Sequence, residues 1–213
     1  MTDELVFYTH PMSRGRIVRW MLEEVGQPYR TEVLDYGTTM KAPEYLAINP
    51  MGKVPALRHG DTVVTETAAI CAYLADAFPE AGLAPPPADR LRGPYYRWLF
   101  FVAGPLEAAW TNKVLGFDVP AERRAMAGYG SLSDVLDTLE QAVSGREYLV
   151  GDRFSAADVY VASHLGWGMM FGSIDKRPAF VRYHEGFQSR LAVQRARALD
   201  DALLPASPQA PAA

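Results

Sequence analysis

Apolar and polar positions in the first third of the chain change period repeatedly, and each change marks an element. Leu5-Val6-Phe7-Tyr8 is a short β-favouring run that stops at His10-Pro11, because a residue before proline is pushed out of helix and proline has no N–H to donate. Ile17, Val18, Met21, Leu22 and Val25 then form the stripe of an amphipathic helix, with Ser13 placed to cap it and Gly26 to end it. Alternation in Tyr29–Leu34 predicts a second strand, so strand, helix and strand make a βαβ unit with a parallel pair. A short helical piece is predicted around Pro43–Ala47. Asn49-Pro50-Met51-Gly52-Lys53-Val54-Pro55 reads as a tight turn feeding a strand at Ala56-Leu57, and Arg58–Asp61 as a hairpin turn into Thr62-Val63-Val64. Beyond Glu66-Thr67, the residues Ile70, Tyr73, Leu74 and Ala77 keep helical spacing until Pro79. The order is β-α-β-α-β-β-α.

Pro79, Pro85, Pro86, Pro87 and Gly82 fall close together and hold neither a helix nor a central strand. They predict an α/β domain over 1–79, a linker over 80–88 and an all-α domain over 89–204. In the second domain Leu91, Tyr95, Trp98, Leu99 and Val102 define one helical face, and Leu132, Val135, Leu136, Leu139 and Val143 another. Phe154-Ser155-Ala156-Ala157-Asp158-Val159 carries a helix start, with Ser155 at the N-cap and Asp158 three residues on. Ala179–Leu191 predicts a further helix, and the Pro/Ala/Ser stretch 205–213 a disordered tail.

Composition narrows the function. In 213 residues, 49% are hydrophobic and 22% charged, close to globular averages. Lys+Arg number 21 against Asp+Glu 25, a net charge of −4, and no stretch gathers the basic residues into a stripe, which disfavours nucleic acid as a partner. The one cysteine, Cys71, excludes an internal disulfide framework, a Cys-x-x-Cys pair and a cysteine-based zinc site. His10, His59, His164 and His184 include no i,i+4 pair, so no metal is expected. The acidic start lacks the pattern of a signal peptide, and Trp98–Leu106, broken by Gly104-Pro105, is too short to span a membrane. The expectation is a cytoplasmic protein with no membrane partner.

Three motifs in order carry a resemblance. Tyr8-Thr9-His10-Pro11-Met12-Ser13-Arg14-Gly15-Arg16, then Asn49-Pro50-Met51-Gly52-Lys53-Val54-Pro55-Ala56-Leu57 leading to Glu66-Thr67, then Gly151-Asp152-Arg153-Phe154-Ser155-Ala156-Ala157-Asp158, together resemble the bacterial cytosolic glutathione S-transferases, and the first of them the serine type. The resemblance covers nearly the whole chain. It implies a thioredoxin-like N-terminal domain, an all-helical C-terminal domain, a homodimer, and glutathione as co-substrate conjugated to a small hydrophobic electrophile.

The chemistry of the residues stands beside it. Glutathione carries carboxylates at both ends and a thiol between them. Glu66-Thr67 opens a predicted helix, where free N–H groups, the helix dipole and the Thr67 hydroxyl suit a carboxylate, and Glu66 suits an ammonium. The family usually has Glu-Ser there, and Thr67 read plainly is a helix cap. Val54-Pro55 resembles the family's cis-proline turn, which presents the Val54 backbone to an extended ligand, with Lys53 beside it for a carboxylate; the plain alternative is a turn with an exposed lysine. Ser13, at the start of the first helix, is the candidate for activating the thiol, with Tyr8 as the alternative at the end of the strand. Ser13 as a mere cap and Tyr8 as packing remain open. Arg14 and Arg16 read as solvated first-turn arginines, His10 as a loop histidine without a partner, and Lys41 as solvated or as an occasional ligand contact. Cys71 reads as core. Met12, Tyr96, Trp110, Phe117, Trp167 and Phe171 are candidates for an apolar electrophile pocket between the domains, each equally explicable as bundle core. A glutathione-dependent isomerase or dehalogenase, and a non-catalytic binding module, are the competing readings.

Overall fold

The computed structural model describes residues 4–204; the stretch 205–213, predicted as a disordered tail, lies outside the described residues, as do residues 1–3. β1 (Leu5–Thr9), α1 (Gly15–Val25) and β2 (Arg30–Val33) form the expected βαβ unit. They are followed by α2 (Pro43–Leu46), the hairpin β3 (Ala56–His59) and β4 (Thr62–Thr65), and α3 (Thr67–Ala77). The strands lie in the order β2-β1-β3-β4, β2 parallel to β1 and the other two pairs antiparallel. β1 runs through the middle. Its Leu5 and Phe7 enter the main core with α1 and α3, whereas Val6 and Tyr8 enter a second, smaller core with Met40, Tyr45 and Ala56. Burial on both faces is why its sequence is continuously apolar.

The helical part consists of α4 (Arg92–Phe101), α5 (Glu107–Val114), α6 (Leu132–Val143), α7 (Ala156–Met170), α8 (Pro178–Glu185) and α9 (Leu191–Asp201). Gly104-Pro105 does not stop the chain's helical course. Pro105 lacks an N–H and its ring crowds the carbonyl four residues back, and five residues of π-helix, Val102–Leu106, absorb the misfit between α4 and α5. α7 is the central helix. At its start Asp158, fully buried, accepts from the Ser155 N–H and hydroxyl, the Leu149 N–H and the Tyr183 hydroxyl.

The helix expected over Ala179–Leu191 is the shorter α8 followed by turns, and a second helix, α9, begins where that range ends. Phe180, Tyr183 and Phe187 keep helical spacing and are all buried, but α8 ends at Glu185 and three-residue turns carry the chain past Phe187. α9 escaped the periodicity reading because its buried face is Ala192, Val193 and Ala196, small residues that give a weak apolar signal.

Helix α1 joins the two halves. One side packs on the sheet; along the other, charged residues meet the helical part. Arg19 bonds Asp200 at 2.7 Å with both side chains almost wholly buried (3% and 1% exposed) and also reaches the Tyr29 and Thr31 hydroxyls. Glu24 accepts both arms of Arg190 at 2.7 and 2.8 Å, Glu23 pairs with Arg195, and Arg16 with Asp201 at 2.7 Å. Burial pushes the Asp200 carboxyl up and the charge of Arg19 pulls it back.

Removing one partner of such a pair leaves the other charge buried and alone. Asp200→Ala is expected to cost about 3–5 kcal/mol, and the double change Arg19→Met with Asp200→Leu much less, because no orphan charge remains. Urea unfolding midpoints of the single and double variants check this; equal losses would refute it.

Candidate functional site

The β1–α1 turn holds the first group of residues. The expectation that Ser13 is the N-cap of α1 is corrected: Arg14 takes that place, and Ser13 sits one residue outside it. Its Oγ donates to the His10 carbonyl at 2.7 Å and accepts from the Gly15 N–H at 2.9 Å. Gly15 permits this closeness, since a Cβ there would strike Thr9 Oγ1 and come within 2.9 Å of Ser13 Oγ. Tyr8 lies in the second core, its ring tilted against Tyr45 at 5.6 Å, and its hydroxyl has no hydrogen-bond partner among the described residues. His10 does have partners: Nδ1 accepts the Met12 N–H at 3.1 Å and the ring lies 4.6 Å from that of Tyr36.

The second group is the turn before β3. The Val54-Pro55 bond is cis. The Lys53 carbonyl accepts from the Tyr45 hydroxyl at 2.6 Å and Asn49 Nδ2 at 2.8 Å, and Asn49 Oδ1 takes the Met51 N–H. Lys41 Nζ donates to the Met51 carbonyl at 3.0 Å. The turn is thus braced from three sides. Neither the N–H nor the C=O of Val54 has a hydrogen-bond partner among the described residues, and the Lys53 side chain is exposed.

The third group opens α3. Glu66 is its N-cap, with φ +67° and no side-chain capping bond. A non-glycine residue there costs about 1–3 kcal/mol and persists where the surroundings hold it. Thr67, buried, is the first helical residue, and the N–H groups of this first turn lack intrahelical acceptors. Open donors, a positive helix end and Lys53 suit an anion; open Val54 suits an extended backbone.

A fourth group was not foreseen. Arg14, expected as a solvated arginine, is partly exposed but also paired: its Nε and Nη2 grip Glu107 of α5 at 2.6 and 2.5 Å. Glu107 Oε1 also contacts His164 Nε2 at 2.7 Å, and His164 Nδ1 faces the Tyr160 carbonyl at 2.8 Å. Burial raises the Glu107 carboxyl, but hydrogen bonds and charge from His164 and Arg14 outweigh it and hold it at about 2. The residues are separated by 93 and 57 positions, and no spacing rule could have joined them.

A cavity of about 600 Å³ is lined by Pro11 and Met12 of the β1–α1 turn and by residues of α1, α7 and α9, with Trp167, Met170 and Phe171 on its wall; Ser13 itself does not line it. Met12, Trp167 and Phe171 therefore belong to it. Trp110, Tyr96 and Phe117 do not line it. Trp110 is buried between Arg14 and His164, at 6.0 and 6.3 Å; Tyr96 accepts from Arg92 and lies beside Phe100; Phe117 borders a separate cavity of about 60 Å³. Helical spacing marked all of them as apolar without telling which face meets α1. Burial pushes the Cys71 thiol up to about 12, so it is inert core as expected. Among the described residues no group of three His, Cys, Asp or Glu could hold a metal ion, and no helix is long and apolar enough to cross a membrane.

The depressed Glu107 carboxyl stabilises the fold fully above its unfolded value near ~4.3 and progressively less as pH falls from there toward about 2. Against Glu107→Gln, the stability advantage of the wild-type protein is expected to be constant above pH ~5.5 and to shrink through that acid window. Unfolding free energies measured across pH check it; a difference independent of pH would refute it.

Comparison with known proteins bears on the family of the chain. Residues 12–77 match the family model described as the glutathione S-transferase N-terminal domain, and 105–190 that described as the C-terminal domain. The glutathione S-transferase GST-4.5 of Xanthomonas campestris is 30% identical over 161 residues, 73% of this chain and 76% of that protein. The crystal structure of a glutathione transferase from Methylococcus capsulatus superposes with a TM-score of 0.78 at 34% identity, over 93% of this chain and 99% of the other. A glutathione transferase homologue from Sulfitobacter, with bound glutathione, gives 0.75 at 28% identity over 95% and 100%. With its thioredoxin-like N-terminal fold, its helical C-terminal part and these relatives, the chain belongs to the glutathione S-transferase family.

Proposed function

We propose that the protein is a serine-type glutathione transferase that binds glutathione across the Val54 turn and the start of α3, and conjugates its thiolate to small hydrophobic electrophiles. The observation that carries this is the set of unpaired backbone groups: the Val54 N–H and C=O, and the first-turn N–H groups of α3 beside Glu66. In this reading the Val54 backbone pairs with the tripeptide as a further strand. Lys53 takes one carboxylate, Thr67 and the helix end take the other, and Glu66 takes the ammonium.

Activation falls to Ser13. A thiol of pKa ~8.5 needs a drop of about two units to be mostly thiolate at neutral pH, near 2.7 kcal/mol. One hydrogen bond to a charged sulfur supplies ~1.5–3 kcal/mol, and the positive end of α1 about 0.3–1. The single hydroxyl proton of Ser13 points to the His10 carbonyl at 2.7 Å, so it turns from that acceptor to the sulfur when the ligand is seated. The electrophile occupies the cavity that Pro11 and Met12 line, Met12 being the residue before Ser13 in the β1–α1 turn. The same reading makes the protein a cytoplasmic homodimer, with the exposed Tyr96 and Phe100 of α4 as apolar contact area.

Ser13→Ala is expected to lower kcat about 10- to 100-fold while glutathione affinity stays within a few fold, and Tyr8→Phe to cost little. Steady-state kinetics check this, and the reverse pattern would move activation to Tyr8. Thr67→Val is expected to raise the KM for glutathione about tenfold with kcat less affected. Failure of the wild-type protein to bind immobilised glutathione would favour a binding module without transferase activity.

A further inference from the structure

Resting on the reading of Ser13 as the activating group, we propose that Tyr36 is a positioning residue for thiol activation: with His10 it clasps the Met12 peptide from both sides and so fixes where the Ser13 hydroxyl stands. The carbonyls of the β1–α1 turn are each taken. That of His10 accepts the Ser13 hydroxyl at 2.7 Å and the Ser13 N–H at 3.1 Å, with the Thr9 hydroxyl more loosely at 3.5 Å. The Pro11 carbonyl accepts Arg16 Nε at 2.6 Å, and the Met12 carbonyl accepts the Tyr36 hydroxyl at 3.2 Å. On the other side of the same residue, the Met12 N–H donates to His10 Nδ1 at 3.1 Å. An acceptor at Nδ1 makes this imidazole neutral, with its proton on Nε2. Among the described residues, all these partners except Tyr36 lie within 9–16. Tyr36 reaches in from another segment, 24 positions away.

Tyr36 is itself braced. It lies between β2 and α2, where the Leu34 N–H donates to the Thr9 carbonyl at 2.9 Å and the Asp35 N–H to the Thr39 hydroxyl at 2.7 Å. Its ring lies 4.6 Å from that of His10. Burial raises the Tyr36 hydroxyl above its ordinary value against the pull of Arg14, so it keeps the proton it donates.

The Ser13 hydroxyl has one proton to give. The Gly15 N–H pins its oxygen at 2.9 Å, so the proton swings while the oxygen stays. When that proton leaves the His10 carbonyl for the sulfur, the carbonyl keeps the Ser13 N–H and no buried acceptor is orphaned. The swing therefore costs little, provided the turn keeps carbonyl, hydroxyl and Gly15 N–H in this arrangement. A turn free to flex at Met12 loses that aim. Donors held in advance need no reorganisation when the charge appears.

The test follows the bound thiol, by titrating the ultraviolet absorbance of the thiolate in glutathione-saturated protein; a midpoint does not depend on how much of a preparation is folded. Tyr36→Phe deletes the hydroxyl and keeps the ring on His10. It is expected to raise the midpoint by about half a unit to one unit, the worth of one neutral hydrogen bond. Below the midpoint kcat should fall about 3- to 10-fold, the same shift read as a rate, with the KM for glutathione within about twofold. His10→Phe, which removes the acceptor of the Met12 N–H, should act in the same direction, and His10→Asn, whose side-chain oxygen takes that N–H, should recover part. In a Ser13→Ala background Tyr36→Phe should change neither midpoint nor kcat, because its effect passes through the missing hydroxyl. An unmoved midpoint in Tyr36→Phe, or an equal effect with and without Ser13, would overturn the inference and leave the serine reading standing. A midpoint unmoved by Ser13→Ala, or a wild-type midpoint equal to that of free glutathione, would overturn the serine reading and take the inference with it.

Discussion

Helix α1 is fixed between two unlike surfaces, and the rest of the molecule is arranged around that. Its apolar side closes the sheet, while Arg14, Arg16, Arg19, Glu23 and Glu24 meet carboxylates and guanidinium groups of the helical part. The buried pair Arg19 and Asp200 is the costliest of these to form and the costliest to break, because both charges have left water. Surface ion pairs contribute little singly, but a row along one helix fixes its rotation and its height against the partner. The turn that carries Ser13 is the end of that helix, so the same row fixes the proposed thiol site.

Helix starts supply the site's electrostatics twice. The beginnings of α1 and α3 each leave backbone donors without intrahelical acceptors, and neither is closed by a side-chain cap from its N-cap residue. At α1 the Ser13 hydroxyl occupies one donor from outside the cap position, and it faces the His10 carbonyl through its only proton. At α3 the positive φ of Glu66 replaces an ordinary cap with a strained one. Local stability is forgone at both places, and both face the same ligand in the proposed reading.

The interrupted helix before Glu107 belongs to the same design. Five residues of π-helix accommodate Pro105, and Glu107 is the first residue of α5 after them. A π-turn carries more residues per turn than an α-turn, so the face that α5 presents differs from the one continuous α-helix would give. Here that face carries Glu107 to Arg14 and His164.

Local physics in the sequence determined much. The periods of apolar residues located β1, α1, β2, the hairpin and α3 within a residue or two, since each is short, punctuated by Gly or Pro, and stabilised by its own pattern. The motifs placed Lys53 and Val54 in a turn and Glu66 and Thr67 at a helix start because turns and helix ends are properties of neighbours in the chain. Periodicity failed at α9, whose small buried residues carry little hydrophobic signal, and at Phe187, which keeps helical spacing outside a helix. Tertiary structure alone decided what the charges do. Arg14 and Arg16 are ordinary solvated arginines to any local rule, and only the approach of α5 and α9 gives them partners 93 and 185 residues away. It also decided which aromatic residues line the cavity: Trp110 and Trp167 look alike in sequence, and the direction of packing against α1 buries one and leaves the other on the wall. Coulombic and packing forces act through space, and the sequence orders residues only along the chain.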